Sequence, residues 1–243
     1  TYPDRIIKSG LLSPDVFPNN IAYQVDVLES DGDSITHLEG VGDRLFVFKR
    51  KSLTVINTAG QSGEFIESSM PYLGVFDSRK VCKAEGGIAW INPSGLFYFD
   101  GNSTTNLIEG KFSATTWSGY SGLDTAHSSI GYSEKDRKLI INIYRIAAAN
   151  YGFVYDFKTK SFFYMSNTLT STTGTAYTSN LVSVPLIKEL ILGEVDNDTS
   201  GDRRVDFKKW STAPQASTTA SGIGTGMQIR TKDLDFGEPA VRK

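Results

Sequence analysis

A short unit recurs along the chain, in which two apolar runs flank a polar turn, and this recurrence constrains the fold more than any other feature. The runs are rich in Val, Ile, Tyr, Phe and Thr and are bounded by Gly, Asn, Asp and Ser, which is typical of strands and turns. The clearest units span residues 43–57, 87–100 and 138–165, and a poorer one spans 188–210. Each predicts an antiparallel hairpin.

The turns inside two of these units are well marked. A charged turn around Arg50 and Lys51 joins the two strands of the first unit. The second unit turns at residues 92–95, where Pro fixes one φ angle and we expect Gly95 to take a positive φ. Leu53 and Leu96 then mark equivalent strands of successive units.

The units recur at roughly 40 to 55 residues, the period expected when each unit forms a four-stranded antiparallel sheet. The sequence therefore predicts an all-β fold, a β-propeller of about five four-stranded blades. Strand-like segments near the two ends, 23–28 and 226–236, are expected to share one blade and close the ring. A β-sandwich is the alternative, because it also shows many short strands between turns.

The chain has 243 residues, 39% of them hydrophobic, which suits a single β domain spanning residues 1–243. A net charge of -2 leaves no basic stripe for nucleic acid, and no apolar run is long enough to span a membrane. Segments 166–180 and 211–226 are rich in Ser, Thr, Gly and Ala and are predicted to be flexible loops or linkers. The sequence stops at residues 238–243, directly after a strand-like stretch with no closing turn, and we therefore expect it to be a piece of a longer protein.

One segment carries a partial calcium-binding pattern. Asp196, Asp198 and Ser200 place oxygen ligands at alternating positions, with Gly201 at the sixth position of the loop. The second half of the pattern fails, because Phe207 stands where a bidentate Glu is required. A solvated turn, stabilised by local hydrogen bonds, is the alternative interpretation.

The sequence contains no recognisable catalytic set, and we expect a protein that is not an enzyme and has no cofactor. His37 and His127 lack the spaced partners of a zinc site or a triad, although folding can bring one beside a carboxylate such as Asp124. Cys82 is the sole cysteine and is expected to be a buried small side chain rather than a reactive thiol. A sialidase signature is missing as well; its closest fragment is 113–118.

Aromatic side chains in the loops support one alternative function. The candidates for stacking on sugars are Trp117, Tyr120 and Tyr151. Most aromatic residues of a β protein, however, pack in its core. The alternative is therefore a propeller that binds or cleaves carbohydrate.

Four segments resemble parts of the propeller-bearing tail, hub and nozzle proteins of tailed bacteriophages. They are residues 35–38, 43–49, 86–101 and 231–237. In that family the last segment leads into a further β domain.

The resemblance implies a structural virion protein of the tail, in the hub, the nozzle or a connector near the portal. It implies a homo-oligomeric ring around the DNA path, with other tail subunits as partners, in a virion assembled in the host cytoplasm. Closed rings arise from head-to-tail contacts between copies, and such contacts use broad surfaces rather than a few reactive side chains.

Overall fold

The computed structural model describes residues 4–10, 13–18, 24–26, 32–59, 63–120, 128–143, 151–166, 178–184, 186–197, 203–210 and 228–231. These residues form an all-β fold in which every strand pair is antiparallel. A two-stranded sheet near the start contains β1 (Arg5–Ile7) and β2 (Gln24–Asp26).

Four larger sheets follow one another along the chain. The first contains β3 (Ile35–Val41), β4 (Arg44–Lys49), β5 (Ser52–Asn57) and β6 (Phe65–Pro71). The second contains β7 (Val81–Ala84), β8 (Gly87–Asn92), β9 (Gly95–Phe99) and β10 (Thr104–Asn106). The third contains β11 (Ser128–Ser133), β12 (Lys138–Ile143), β13 (Tyr151–Asp156), β14 (Ser161–Ser166) and, at its edge, β18 (Gln228–Thr231). The fourth contains β15 (Thr178–Val184), β16 (Glu189–Asn197) and β17 (Arg203–Lys209).

Two short helices lie between the strands. A 3₁₀ helix, Ser78–Lys80, precedes β7, and the Asp77 side chain caps it by accepting from the Arg79 backbone N–H. An α-helix, α1 (Ala114–Ser118), begins after Ser113, whose hydroxyl accepts from the backbone N–H of Thr116. Such side-chain caps satisfy N–H groups that the helix itself leaves unpaired.

The sheets pack face to face in chain order. A cluster of apolar side chains fills the space between the first and second sheets: Phe46, Phe48, Leu53, Val55, Val75, Val81, Ile88, Trp90, Phe97 and Phe99. A larger cluster joins the second sheet to the third: Ala84, Ala89, Ile91, Leu96, Ile108, Trp117, Ile130, Tyr132, Leu139, Ile141, Ile143, Phe153 and Tyr155. A smaller one, Ile140, Val154, Met165 and Leu190, joins the third sheet to the fourth.

Alternation along β8 shows how one strand serves two interfaces. Ile88 and Trp90 face the first sheet, whereas Ala89 and Ile91 face the third. All six residues of β8 are buried, because successive side chains of a strand point to opposite faces and both faces are covered. Burying a large apolar side chain stabilises the fold by about 1.5–3 kcal/mol, so these strands dominate the stability.

The first strand of the third sheet, β11, contacts the first strands of the second and fourth sheets, β7 and β15. Consecutive antiparallel sheets that pack face to face, with their first strands converging, form a propeller-like arrangement. The predicted fold class is therefore confirmed, and the sandwich alternative, which needs only two facing sheets, is wrong. Leu53 and Leu96 lie on the third strands of the first and second sheets, as expected for equivalent positions.

Three expectations from the sequence need correction. The two end segments do not share a blade, because β2 pairs with β1 whereas β18 pairs with β14. The predicted loop 166–180 overlaps β15, which starts at Thr178 because β16 supplies its hydrogen-bonding partners. Residues 167–177 and the other predicted linker, 211–226, lie outside the described residues.

The third correction concerns Gly95. Its φ is not positive, and the turn is instead closed by the Asn92 side-chain oxygen, which accepts from the backbone N–H groups of Ser94 (2.8 Å) and Gly95 (3.1 Å). Glycine is required here for space, since a Cβ atom would lie 2.6 Å from the Asn106 side-chain oxygen.

Candidate binding surfaces

A groove of about 490 Å³ opens where two turns meet the connection after β6. We call it the Tyr72 groove. The β4–β5 turn contributes Arg50 and Lys51, and the β8–β9 turn contributes Pro93 and Ser94. The remaining lining residues are Ser52, Pro71, Tyr72, Gly74, Phe76 and Asn92.

Tyr72 is held in an unusual backbone conformation at this groove. Its φ is 66°, in the left-handed region that non-glycine residues rarely adopt, and its side chain is 78% exposed. The Tyr72 N–H donates to the Lys51 carbonyl oxygen over 2.7 Å, and its own carbonyl oxygen accepts from the Asn92 side-chain nitrogen over 3.0 Å. Both neighbouring turns therefore hold the backbone from which this exposed ring projects.

Gly74 allows the connection to lie close to the first sheet. A Cβ atom there would collide with the Lys49 carbonyl oxygen, so only glycine fits without moving backbone. The Gly74 carbonyl oxygen accepts from the Asn92 side-chain nitrogen over 2.8 Å. Asn92 thus supports both the groove and its own turn.

Positive charge surrounds the apolar part of the Tyr72 groove. The Arg50 guanidinium lies 5.1 Å from the centre of the Phe76 ring, and the Lys80 ammonium approaches the same ring at 5.5 Å. The nearby carboxylates are already engaged: Asp33 accepts from the Lys51 backbone N–H, and Asp77 pairs with Arg79 at 3.0 Å.

A second cavity, of about 600 Å³, lies where β7, β11 and β15 converge. We call it the three-strand cavity. Its lining residues are Ser78, Arg79, Val81, Cys82, Lys83, Ala84, Glu85, Gly86, Ile130, Gly131, Tyr132, Glu134, Leu181, Val182 and Ser183.

The charged side chains of the three-strand cavity are paired with partners outside it. Arg137 donates to both oxygens of Glu85, at 2.8 and 2.7 Å, and the Tyr132 hydroxyl donates to the same carboxylate. The Arg137 hydrogen bonds hold the pKa of Glu85 below its usual value. Burial, reinforced by Glu85, raises the pKa of the Tyr132 hydroxyl.

Two further ion pairs neutralise charged side chains that line the same cavity. Lys83 lies 3.1 Å from Glu39, and Lys188 lies 3.0 Å from Glu134. Cys82 is half-buried rather than buried as expected, and its partial burial raises the pKa of the thiol and disfavours the thiolate.

The structure describes only part of the candidate calcium segment. Asp196 is the penultimate residue of β16, and its backbone lies opposite that of Arg204 in the strand register. Asp198 and Ser200 lie outside the described residues. Its neighbour, Asn197, pairs with Arg203. In the strand register, two arginines therefore stand opposite the first two positions of the segment.

Of the two histidines, the structure describes only His37. His37, on β3, lies 3.5 Å from Glu39, whereas His127 and Asp124 lie outside the described residues. Across the ranges that the structure describes, no three His, Cys, Asp or Glu side chains are grouped as a metal site requires.

Two of the three aromatic residues considered for sugar stacking belong to the core. Trp117 is fully buried and donates its indole N–H to the Asn92 carbonyl oxygen over 2.9 Å. Tyr120 packs against the same cluster, and the side chain of Tyr151 lies outside the described part. The exposed ring at the groove is instead Tyr72. Sequence reasoning missed it, because the residue type of a tyrosine does not indicate a positive φ. Its only cue is the Pro71–Gly74 break after a strand.

Exposed apolar side chains form two further surfaces on different sheets. The edge patch, Phe65 (53% exposed) and Ile66 (41%), lies on β6, the outer strand of the first sheet, with the two side chains on opposite faces of that edge strand. The turn patch, Leu186 (92% exposed) and Ile187 (55%), lies between β15 and β16.

Comparisons with known proteins add little to these surfaces. No family model matches the chain, and no curated protein matches it. A solved structure, the N-terminal domain of Nup159, aligns over 86% of this chain and 70% of its own, at 9% identity and a TM-score of 0.35. Among the described residues, no helix has the length and apolar character needed to cross a membrane.

Proposed function

We propose that this chain is a structural subunit of a bacteriophage tail, in the hub, the nozzle or a connector near the portal. In this role it forms a homo-oligomeric ring around the DNA path and binds other tail subunits in the virion. The resemblance of four sequence segments supports the proposal. Segments 35–38, 43–49 and 86–101 fall on β3, β4, β8 and β9, which build the first and second sheets.

The observation that carries the proposal is the pair of exposed apolar patches. Rings form when one surface of a subunit binds a different surface of the next copy and the rotation closes. The edge patch and the turn patch belong to different sheets, so they supply two non-equivalent apolar surfaces. These exposed apolar side chains give each copy two different candidate surfaces for a head-to-tail contact.

The paired charges of the three-strand cavity fit the same role. Glu85, Lys83 and Glu134 each contact an oppositely charged side chain. A general acid or base needs a proton that it can exchange with a substrate, and ion pairing opposes that exchange. A structural subunit needs no such group.

Native mass spectrometry of the full-length protein tests the proposal. We expect a closed oligomer for the unsubstituted protein, and loss of that oligomer on Ile66→Ser or Leu186→Ser, because each removes one side of the contact. Phe17→Ser is the matched control, since Phe17 is 60% exposed and lies outside both patches. A monomer at all concentrations, alone and with neighbouring tail proteins, would contradict the proposal.

Carbohydrate binding or cleavage is the second candidate, and the exposed ring of Tyr72 is the one observation that favours it. Sugars also need several convergent hydrogen-bonding side chains, and the Asn92 amide is already occupied by four backbone groups. Binding on a glycan array, lost on Tyr72→Gly, would support this function. Silence on the array and in a reducing-sugar assay would remove it.

A further inference from the structure

We infer that the Tyr72 groove binds an acidic peptide segment of a partner chain, with an apolar side chain in the groove and carboxylates at its rim. This surface is separate from the edge patch and the turn patch. The inference does not depend on the chain's being a tail subunit.

The groove has the shape and lining of a site for one apolar anchor residue. Tyr72, Phe76, Pro71 and Pro93 supply its apolar surface, and Tyr72 and Phe76 are 78% and 38% exposed. A volume of about 490 Å³ falls within the usual range of small binding sites. Protein interfaces take much of their energy from one or two aromatic or aliphatic anchors in such grooves.

Charge complementarity selects an acidic partner. Arg50 and Lys51 are exposed at the groove, and no ion pair to either side chain is found within the described ranges. The nearest carboxylates are engaged elsewhere, Asp33 by the Lys51 N–H and Asp77 by Arg79. Carboxylates of a bound peptide would therefore meet two unneutralised cations.

The backbone of Tyr72 is held in place before binding. A φ of 66° is unfavourable for tyrosine but costs glycine little. Hydrogen bonds to Lys51 and from Asn92 hold the backbone there on both sides. Backbone strain at an exposed residue is typical of binding sites, because a backbone that is already ordered loses little freedom when the partner binds.

Fluorescence anisotropy with a labelled peptide of alternating Asp and Phe tests the inference. Peptides of alternating Asn and Phe and of alternating Lys and Phe are the probes for comparison. We expect the acidic peptide to bind about tenfold tighter than the neutral one or more, with affinity that falls as salt is added. The basic peptide should not bind.

Two variants separate binding from folding. Tyr72→Gly removes the ring and relieves the strained φ, so the melting temperature should hold or rise while the acidic peptide binds about tenfold weaker or worse. Arg50→Glu should weaken the acidic peptide similarly, and Lys135→Glu, an exposed charge reversal in the β11–β12 turn, should leave binding unchanged. Equal binding of all three peptides, normal binding by both variants, or glycan binding that depends on Tyr72 would overturn the inference.

Discussion

The Asn92 side-chain nitrogen donates to the Tyr72 carbonyl oxygen over 3.0 Å and thereby links the β8–β9 turn to the strained residue of the groove. The same nitrogen donates to the Gly74 carbonyl oxygen, and the Asn92 backbone oxygen accepts from the Trp117 indole. One buried asparagine therefore joins the β8–β9 turn, the connection after β6 and helix α1.

Replacing Asn92 by alanine is expected to destabilise the protein strongly. The change leaves the buried Gly74 carbonyl oxygen without its partner and removes the acceptor that closes the β8–β9 turn. We expect a loss of about 2–4 kcal/mol in the free energy of unfolding, measured by urea denaturation. Asn102→Ala is the control, because Asn102 is exposed. Equal losses for the two variants would count against this role for Asn92.

A second stability prediction compares two strand glycines. A Cβ atom on Gly87 would collide with the Phe99 carbonyl oxygen of the neighbouring strand, whereas one on Gly40 would meet nothing within 4 Å. Gly87→Ala should therefore cost about 2 kcal/mol or more, and Gly40→Ala should change stability by about 0.5 kcal/mol at most. Thermal unfolding of the two variants is the measurement. A tolerated Gly87→Ala would show that β8 and β9 are farther apart than described.

The Glu85–Arg137 pair predicts a pH dependence. Hydrogen bonds from Arg137 lower the folded-state pKa of Glu85 below its ordinary value of 4.5. The pair therefore stabilises the fold above that pH, and the stabilisation is lost as the pH falls through the folded-state pKa. Arg137→Met should destabilise the protein at neutral pH and should lose less further stability on acidification than the unsubstituted protein.

Urea denaturation across this pH range measures the difference, with Lys135→Met as the control for loss of an exposed cation in the same turn. If the free energy of unfolding changed with pH in the same way for Arg137→Met and the unsubstituted protein, Arg137 would not lower the folded-state pKa of Glu85.

The candidate calcium segment gives a prediction of its own. Arg204 and Arg203 stand opposite Asp196 and Asn197 on the adjacent strand, and Phe207 replaces the expected bidentate ligand. We therefore expect EDTA to leave the melting temperature unchanged, since a bound ion would otherwise stabilise the fold. A melting temperature that falls with EDTA and recovers with added calcium would instead support a site at Asp196, Asp198 and Ser200.

Local patterns predicted most of the strands because hairpins are encoded by neighbouring residues. The units around Leu53 and Leu96 form as expected, and the unit 138–165 contains β12, β13 and β14. The pairing of the two end segments was wrong because strand partners distant in sequence depend on the packing of whole sheets, which apolar alternation does not specify. Gly95 shows a similar limit. The sequence does not distinguish a glycine needed for a positive φ from one needed for close approach to another side chain, here that of Asn106.

The candidate sites were less predictable than the fold. Trp117 and Tyr72 are both aromatic residues in connections, yet the first is fully buried and the second is 78% exposed. Whether such a side chain is exposed depends on which side of its connection faces the core. Contacts from other parts of the chain determine that side: Asn92 hydrogen-bonds to the Tyr72 backbone and to the Trp117 indole. The ion pair between Glu85 and Arg137 likewise joins residues far apart in the chain.

The central claim is that copies of this chain associate head to tail through the edge patch and the turn patch. Electron microscopy of the full-length protein tests it most directly. We predict closed rings in which Phe65 and Ile66 of one copy face Leu186 and Ile187 of the next. Isolated copies, or symmetric pairs in which the same patch meets itself, would contradict the claim.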